Sequence, residues 1–290
     1  MSHYRGLFAG LTTVDIQYYV DTFPQANKKI KTNPPDILIG GPATNAAVAF
    51  SYLNKGAILA TPTGVNSFSG FIENDFKLTG INHYDLVENQ KNGAVIASVI
   101  TSTQYGDRNI FTHHPGRISP IITPEELFKN VNPEILLLDG FYPEFSINSA
   151  RLAKDKGIPV IVDGGSWKPQ YLELFPFTDV IICSSDFYPP GVVDSETLFE
   201  FFDKNNVKNA VISRGKKSLL YSTEKGRGEV PVNSAKIVDT LGAGDILHGA
   251  FCFYYLAYDF NFIKSLEEAA KLASFSCQFQ GTREWLNFTI

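Results

Sequence analysis

The sequence predicts an α/β fold, a mostly parallel central β-sheet covered by helices on both faces with a small extra β-layer, and three observations predict it. Short apolar runs near 135–138, 159–162, 179–183 and 210–213 alternate with amphipathic stretches, the rhythm of parallel strands joined by crossover helices. Two small-residue stretches, Gly40-Gly41 and Gly242-Ala243-Gly244, each open onto an apolar run long enough for a helix. From Gly93 to Pro115 the rhythm lapses into strand-like segments alone.

In chain order, Gly6 to Leu11 reads as a short buried strand, with Asp15 just past its end. Ile16 to Asp21 has the β-branched and aromatic content of a strand, and Pro24 and Asn33-Pro34-Pro35 break the chain before Ile37-Leu38-Ile39. None of these carries a helical period, so they fit an extended flap. Ala46, Ala47, Val48, Ala49, Phe50, Tyr52 and Leu53 cover most of a helix over Thr44 to Lys55, and Gly56 is placed to end it. Ala57 to Thr61 follows as a strand, and a helix within 64–80 buries Phe68, Phe71, Ile72, Phe76 and Leu78. Ala94 to Ile100 and Arg108 to Thr112 form a hairpin about a turn at Gln104 to Asp107. Helices at Ser146 to Lys156, near Pro169 to Leu174 and at Ser195 to Asn205 separate the four apolar strands. Ser218 to Ser222 and Gly228 to Val232 add an antiparallel pair, and helices from Asp245 to Tyr258 and about Ile263 to Gln280 complete the chain. No repeat or linker divides the sequence.

A chain of 290 residues can bury a substantial core as one α/β domain with an appendage, or as two small domains. Hydrophobic residues at 44% and charged residues at 19% speak against disorder. A net charge of −5 gives no electrostatic footprint for nucleic acid, and Lys28, Lys29 and Lys31 read as a short solvated loop or strand edge. Cys183, Cys252 and Cys277 are odd in number and lie in apolar runs, which fits reduced thiols in a cytoplasmic protein and disfavours a disulfide framework or zinc site. The N-terminal stretch is too polar at Thr12, Thr13 and Asp15 for a signal peptide, and no apolar run reaches the ~20 residues needed to span a bilayer. A cytoplasmic location without membrane partners is the expectation.

The most informative stretch runs from Val238 to Phe251. Gly242 and Gly244 flank Ala243, Asp245 follows at once, and a helix begins. Small residues let backbone N–H groups approach a ligand, and a helix's first turn leaves such donors unpaired at its positive end. An anion would bind there. Asp245 either helps start the helix or takes the proton from an attacking hydroxyl.

Asp239-Thr240-Leu241-Gly242-Ala243-Gly244-Asp245 resembles the C-terminal signature of the ribokinase-like (PfkB) carbohydrate kinases, and Gly40-Gly41-Pro42-Ala43-Thr44-Asn45 resembles their N-terminal sugar-binding motif. Among these, the sequence is most similar to the ketohexokinase-like and sulfofructose-kinase-like branches. The resemblance spans nearly the whole chain and implies a three-layer α/β/α sandwich over residues 1–290. Lid insertions at about 12–37 and 93–116 would close over the sugar and pair with a second copy in a homodimer. It further implies transfer of the γ-phosphoryl group of Mg²⁺-bound ATP to a primary hydroxyl of a furanose or ketose-type sugar. Asp245 would be the base, with backbone N–H groups of Leu241, Gly242, Ala243 and Gly244 as the anion hole. An ordinary Asp pKa near ~3.9 would keep that base ionised.

By the same resemblance Asp15, Gly41 and Asn45 meet the sugar and Ser213 and Gly215 lie near the nucleotide phosphates, with Ser184 a further candidate on the ATP side; Arg108, from its place on the hairpin, is a candidate to reach an anionic or polyhydroxylated substrate from the lid. The plain alternatives are a loop carboxylate for Asp15, a helix-starting residue for Asn45, a solvated strand charge for Arg108 and a tight strand-ending turn for Ser213 to Gly215. Two departures qualify the match. Cys183 to Phe187 occupies the place of the family's Asn-x-x-Glu segment, leaving Asp186 or Asp163 as outer-shell candidates for magnesium and no assigned metal ligand. Phe141 stands where some relatives carry an Arg for an anionic sugar. A K⁺ site is implied at the carbonyls of Asp239 and Leu241 beside Gln280-Gly281. Gly215-Lys216-Lys217-Ser218 is not a Walker A motif, since Ala210 stands at its first glycine. His113-His114 lack further ligands, and His248 reads as a satisfied imidazole. A nucleoside kinase of the same superfamily, or a silent sugar- or nucleotide-binding regulator, remain the competing readings.

Overall fold

The computed structural model describes residues 3–87, 94–104, 108–113, 116–233 and 236–289. Its first strand, β1 (Gly6–Ala9), lies inside a large sheet because all four of its residues are buried, alternating between two cores. Phe8 joins one hydrophobic cluster and Leu7 and Ala9 the other, the period-two pattern of a strand covered on both sides. Beyond it come β2 (Thr13–Val20), β3 (Asp36–Gly40), α1 (Pro42–Asn54), β4 (Ala57–Thr61), α2 (Ser69–Thr79), β5 (Ile81–Asp85), β6 (Val95–Ser102) and β7 (Arg108–Thr112). The second half holds α3 (Pro124–Val131), β8 (Ile135–Leu138), α4 (Pro143–Asp155), β9 (Val160–Gly164), α5 (Tyr171–Leu174), β10 (Val180–Ser184), α6 (Ser195–Lys204), β11 (Ala210–Arg214), β12 (Lys217–Thr223), β13 (Gly226–Val230), α7 (Ala243–Ala257) and α8 (Phe262–Ser276).

The large sheet has nine strands in the order β13-β12-β11-β10-β9-β8-β1-β4-β5. Pairing is parallel from β11 across to β5, and antiparallel from β11 to β12 and from β12 to β13. One core packs α1, α7 and α8 on one face, and the other packs α3 to α6 on the opposite face. The chain leaves β1 toward β4 and β5, then returns to its other side at β8, so the order reverses between β1 and β8. At such a reversal neighbouring loops part and leave a crevice at the strands' C-terminal ends.

The small sheet has the order β3-β2-β6-β7. Its β2–β6 pair is parallel, with Asp15 opposite Ala97, and the flanking pairs are antiparallel. The expected hairpin is β6 and β7, although Tyr105-Gly106-Asp107 of its turn, Gly93, His114 and Pro115 lie outside the described residues.

Some expectations change. Asp15 lies within β2 rather than past a strand end, because β2 begins three residues earlier than expected, at Thr13. In α2 only Ile72 and Phe76 are buried, whereas Phe71 and Leu78 are 42% and 77% exposed. The helix meets its core along a stripe one turn apart, and the other apolar residues lie off it. The sequence reading passed over two elements. One is β5, a largely polar edge strand that among the described residues pairs only with β4. The other is α3, whose Thr123 and Glu126 cap each other and whose Pro124 takes the first helical position. The last helix stops at Ser276 rather than near Gln280, and Gly281 then takes a left-handed φ of 64°.

Candidate active site

Two helix N-termini meet at the crevice. Helix α1 begins straight after β3, with Gly41 at φ 98° as its N-cap. A Cβ on Gly41 would strike the Leu11 carbonyl, and one on Gly40 would strike the Asp15 carboxylate. Only glycines let β3, the end of β1 and the α1 terminus converge so closely. Asp15 is buried, and its carboxyl is pushed above the ordinary range by loss of water, opposed by a Thr13 hydrogen bond and the Arg283 charge.

Helix α7 begins at Ala243 behind Gly242, whose φ of 72° turns the chain into the helix with no side-chain cap. Its helical ladder opens with the bond from Ile246 N–H to the Gly242 carbonyl at 2.9 Å, so the amides of Gly244 and Asp245 precede it. Leu241 differs from the expectation. Its N–H donates to Asp239 Oδ1 at 2.9 Å, which withdraws it from an anion hole, and Ala243 N–H bends to the Thr240 carbonyl at 3.3 Å. Asp239 is a brace: its other oxygen accepts from Gly281 N–H at 3.0 Å, tying the Gly242 loop to the turn after α8.

The two termini are joined by their side chains. Asn45 Nδ2 donates to Asp245 Oδ2 at 2.8 Å across 200 residues of sequence. Asp245 keeps partial exposure on the cleft, yet protein surrounds its carboxyl. Burial, then the Asp163 charge, push its pKa up to about 7, against the Asn45 hydrogen bond and His248, which pull down. The expectation of an ordinary Asp pKa therefore does not hold, since few water molecules remain to solvate the anion.

Further groups surround this pair, of which Asp139 and Lys168 carry no sequence expectation. Asp139, after β8, accepts from Leu11 N–H at 2.7 Å and Ala43 N–H at 3.3 Å, pinning β1 to α1 at the reversal point. Its carboxyl is raised to about 6, chiefly by burial. Lys168 lies with its Nζ 4.3 Å from the Phe141 ring centre and 3.2 Å from the Tyr171 hydroxyl, its pKa lowered by burial despite Asp139 and Asp163. A cation therefore stands over Phe141, where the sequence alone offered none. Asp163, at the end of β9, is 3.6 Å from His248 Nε2. His248 has a carbonyl at each ring nitrogen, with Nδ1 2.6 Å from the Gly244 carbonyl and Nε2 2.8 Å from the Ile182 carbonyl.

The structure thus brings Asp15, Gly41, Asn45, Gly242, Ala243, Gly244 and Asp245 to one place. Arg108 reaches its margin, with Nη2 3.3 Å from Thr240 Oγ1. Ser184 and Ser213 stand opposite each other at the C-terminal ends of β10 and β11, and Gly215, φ 60°, turns β11 into β12. These three are not tied to the Asn45–Asp245 pair by any bond among the described residues. Those residues also contain no cluster of three or more His, Cys, Asp or Glu groups that could hold a metal. Asp163, one of the outer-shell candidates, faces His248. The residue most clearly missed is Arg283, which donates to Asn45 Oδ1 at 2.9 Å. Its sequence signal was weak, a lone arginine after Gly281-Thr282.

Comparison with known proteins agrees with this architecture. The profile described as "pfkB family carbohydrate kinase" matches residues 7–287. A ribokinase of Dictyostelium discoideum is 26% identical, covering 94% of each chain. A nucleoside kinase of Methanocaldococcus jannaschii is 24% identical, covering 86% of this chain and 83% of its own. The structure of Arabidopsis thaliana ribokinase complexed with ribose and ATP superposes with a TM-score of 0.82 at 21% identity, covering 99% of this chain and all of the other. A two-sheet α/β fold with paired glycine-rich helix starts is that of a ribokinase-like phosphotransferase. This chain belongs to the pfkB family of carbohydrate kinases.

Proposed function

We propose that the protein transfers the γ-phosphoryl group of ATP to a primary hydroxyl of a furanose or ketose-type sugar. The observation that carries this reading is the Asp245 carboxylate held at 2.8 Å by Asn45 beside the unladdered amides that open α7. Phosphoryl transfer needs an aligned hydroxyl, a proton acceptor and charge stabilisation, and little covalent chemistry from the protein. Asp245 accepts the hydroxyl proton. Backbone N–H groups of Gly242 and Gly244, with Asp245's own, face the transferring group, aided by the positive end of α7. Asp15, the Gly41 backbone and Asn45 orient the sugar, Arg108 approaches from the small sheet, and Ser184, Ser213 and Gly215 border the nucleotide.

The small sheet acts as a lid that keeps water, a competing nucleophile, from the phosphoryl group. Residues 1–290 work as one domain with that lid inserted, and the apolar outer lid face pairs two copies. Magnesium arrives with the ATP phosphates. The Asp239–Gly281 brace supports a potassium site formed by nearby carbonyls. Three free cysteines support a cytoplasmic setting, and among the described residues no helix is long and apolar enough to cross a membrane.

A coupled ADP-release assay across pentoses, ketohexoses, phosphorylated and sulfonated sugars, and nucleosides, with and without potassium, tests the reading. ADP formed only with nucleosides would favour the second reading, a nucleoside kinase, which the likeness to the Methanocaldococcus jannaschii enzyme supports. Binding of sugar and ATP with no ADP from any acceptor would overturn both. Asp245→Asn is expected to fold and to lose roughly 10²–10⁴ in kcat.

A further inference from the structure

We propose that Arg283 is a positioning residue of the phosphotransfer centre, locking Asn45 in the one amide orientation that donates to Asp245. The inference rests on the kinase reading above and adds the device that sets its base. All five N–H donors of the guanidinium are engaged. Nε and Nη2 make a fork with Asp75 at 3.1 and 3.2 Å. The other Nη2 hydrogen meets the Ile39 carbonyl at 2.7 Å, and Nη1 serves both Asn45 Oδ1 at 2.9 Å and Thr282 Oγ1 at 3.1 Å. The Arg283 and Asp75 side chains are only 15% and 16% exposed, which limits screening of the pair by solvent.

The amide of Asn45 consequently has no freedom to flip. A half-turn would set its NH₂ group against the guanidinium and its oxygen against the Asp245 carboxylate, two repulsive contacts in place of two hydrogen bonds. Arg283 makes no bond to Asp245 among the described residues, so its influence on Asp245 runs through Asn45. The same guanidinium holds the Ile39 carbonyl just before Gly40-Gly41, fixing the entry to α1 from the small sheet. A lysine cannot substitute, because one ammonium cannot span Asp75, Ile39 and Asn45 together.

The test compares Arg283→Ala and Arg283→Lys with the wild type by carboxyl ¹³C NMR titration of Asp245, assigned with Asp245→Asn, and by the pH profile of kcat/KM. Asp245 faces Asp163 and Asp139 from the strand ends, His248 from its own helix and Asn45 from α1. Those groups are unchanged in the variants. Loss of the Asn45 hydrogen bond removes an influence that lowers the Asp245 pKa, so the titration should move to higher pH in both variants. Turnover should fall roughly 10- to 100-fold as the base loses its alignment. In an Asn45→Ala background, Arg283→Ala should leave the Asp245 titration where Asn45→Ala alone puts it, whereas turnover can fall further through Asp15 and the Ile39 carbonyl.

Arg283→Met with Asp75→Asn removes both buried charges and serves where the single variants do not fold. Unchanged titration and turnover in a folded Arg283 variant would overturn the proposal, as would an equal shift of the Asp245 titration in the Asn45→Ala background. A shifted Asp245 titration in a protein that forms no ADP would uphold the tether and overturn only the kinase reading.

Discussion

At the scale of the residue, Asp245 is under conflicting demands. Folding removes water from its carboxyl and sets it near Asp163, raising its pKa to about 7, whereas a free aspartate titrates near ~3.9. The sign of the consequence is fixed. The folded state holds the proton more tightly than the unfolded state, so ionised Asp245 costs stability, fully above the folded pKa and not at all below the unfolded one. Asp245→Asn should therefore raise Tm most above about pH 7, with the difference closing toward pH ~4, as scanning calorimetry across pH would read. A stability gain that persisted unchanged at acid pH would refute the linkage. Turnover has the opposite demand, and wild-type kcat/KM should rise with pH through an inflection near 7. Asp245, Asn45 and Gly41 were legible in the sequence because small residues around them leave a local signature. Arg283, Asp139 and Lys168 were not, because their partners are tertiary; Arg283 finds Asn45 across 238 positions.

At the scale of the element, glycines along α7 do different work within six residues. A Cβ on Gly249 would strike the Ala46 carbonyl of α1, so this glycine sets how closely the two helices pack. Gly249→Ala should lower stability by about 1–3 kcal/mol, seen as a reduced Tm, because neither backbone can yield freely. Gly244 has nothing within 4 Å of its would-be Cβ and no left-handed φ. Gly244→Ala should leave Tm unchanged or raised, since alanine is favoured over glycine in a helix by roughly 0.5–1 kcal/mol, yet it should depress turnover by placing a methyl where the phosphoryl group passes. Parallel loss of Tm and activity in Gly244→Ala would contradict that separation. Elements with strong periodicity were readable, among them α1, α6 and β8 to β11. The edge strand β5 was not, because the exposed Asn82 and the polar His83 interrupt the apolar pattern. Helix α3 was readable only through its capping box at Thr123 and Glu126, and Phe71 looked buried because periodicity does not reveal how wide a stripe the neighbouring layer covers.

At the scale of the whole molecule, the small sheet has two unlike faces. The register places Ile37, Ile16, Ser98 and Phe111 in one row across β3, β2, β6 and β7, with Ile96 on the same face one step along β6. Asp15, Val95, Ala97 and Val99 occupy the opposite face and are buried, Asp15 against Gly40 at the crevice. Ile37, Ile96 and Phe111 are 42%, 41% and 63% exposed. An apolar outer face on a sheet whose inner face carries the carboxylate proposed to bind sugar would be poorly solvated alone, and covering it with the same face of a second copy satisfies both through a two-fold axis. The proposed homodimer would then hold each lid at a set angle to its own crevice, coupling assembly to sugar affinity. Ile96→Glu with Phe111→Glu puts like charges on both sides of that contact. The double variant should sediment as a monomer where the wild type sediments as a dimer, and its KM for the sugar should rise more than its KM for ATP, because the lid carries Asp15 while Ser184 and Ser213 sit on the large sheet. A wild-type protein that is monomeric at micromolar concentration, or a monomeric variant with both KM values unchanged, would remove assembly from the account of sugar binding.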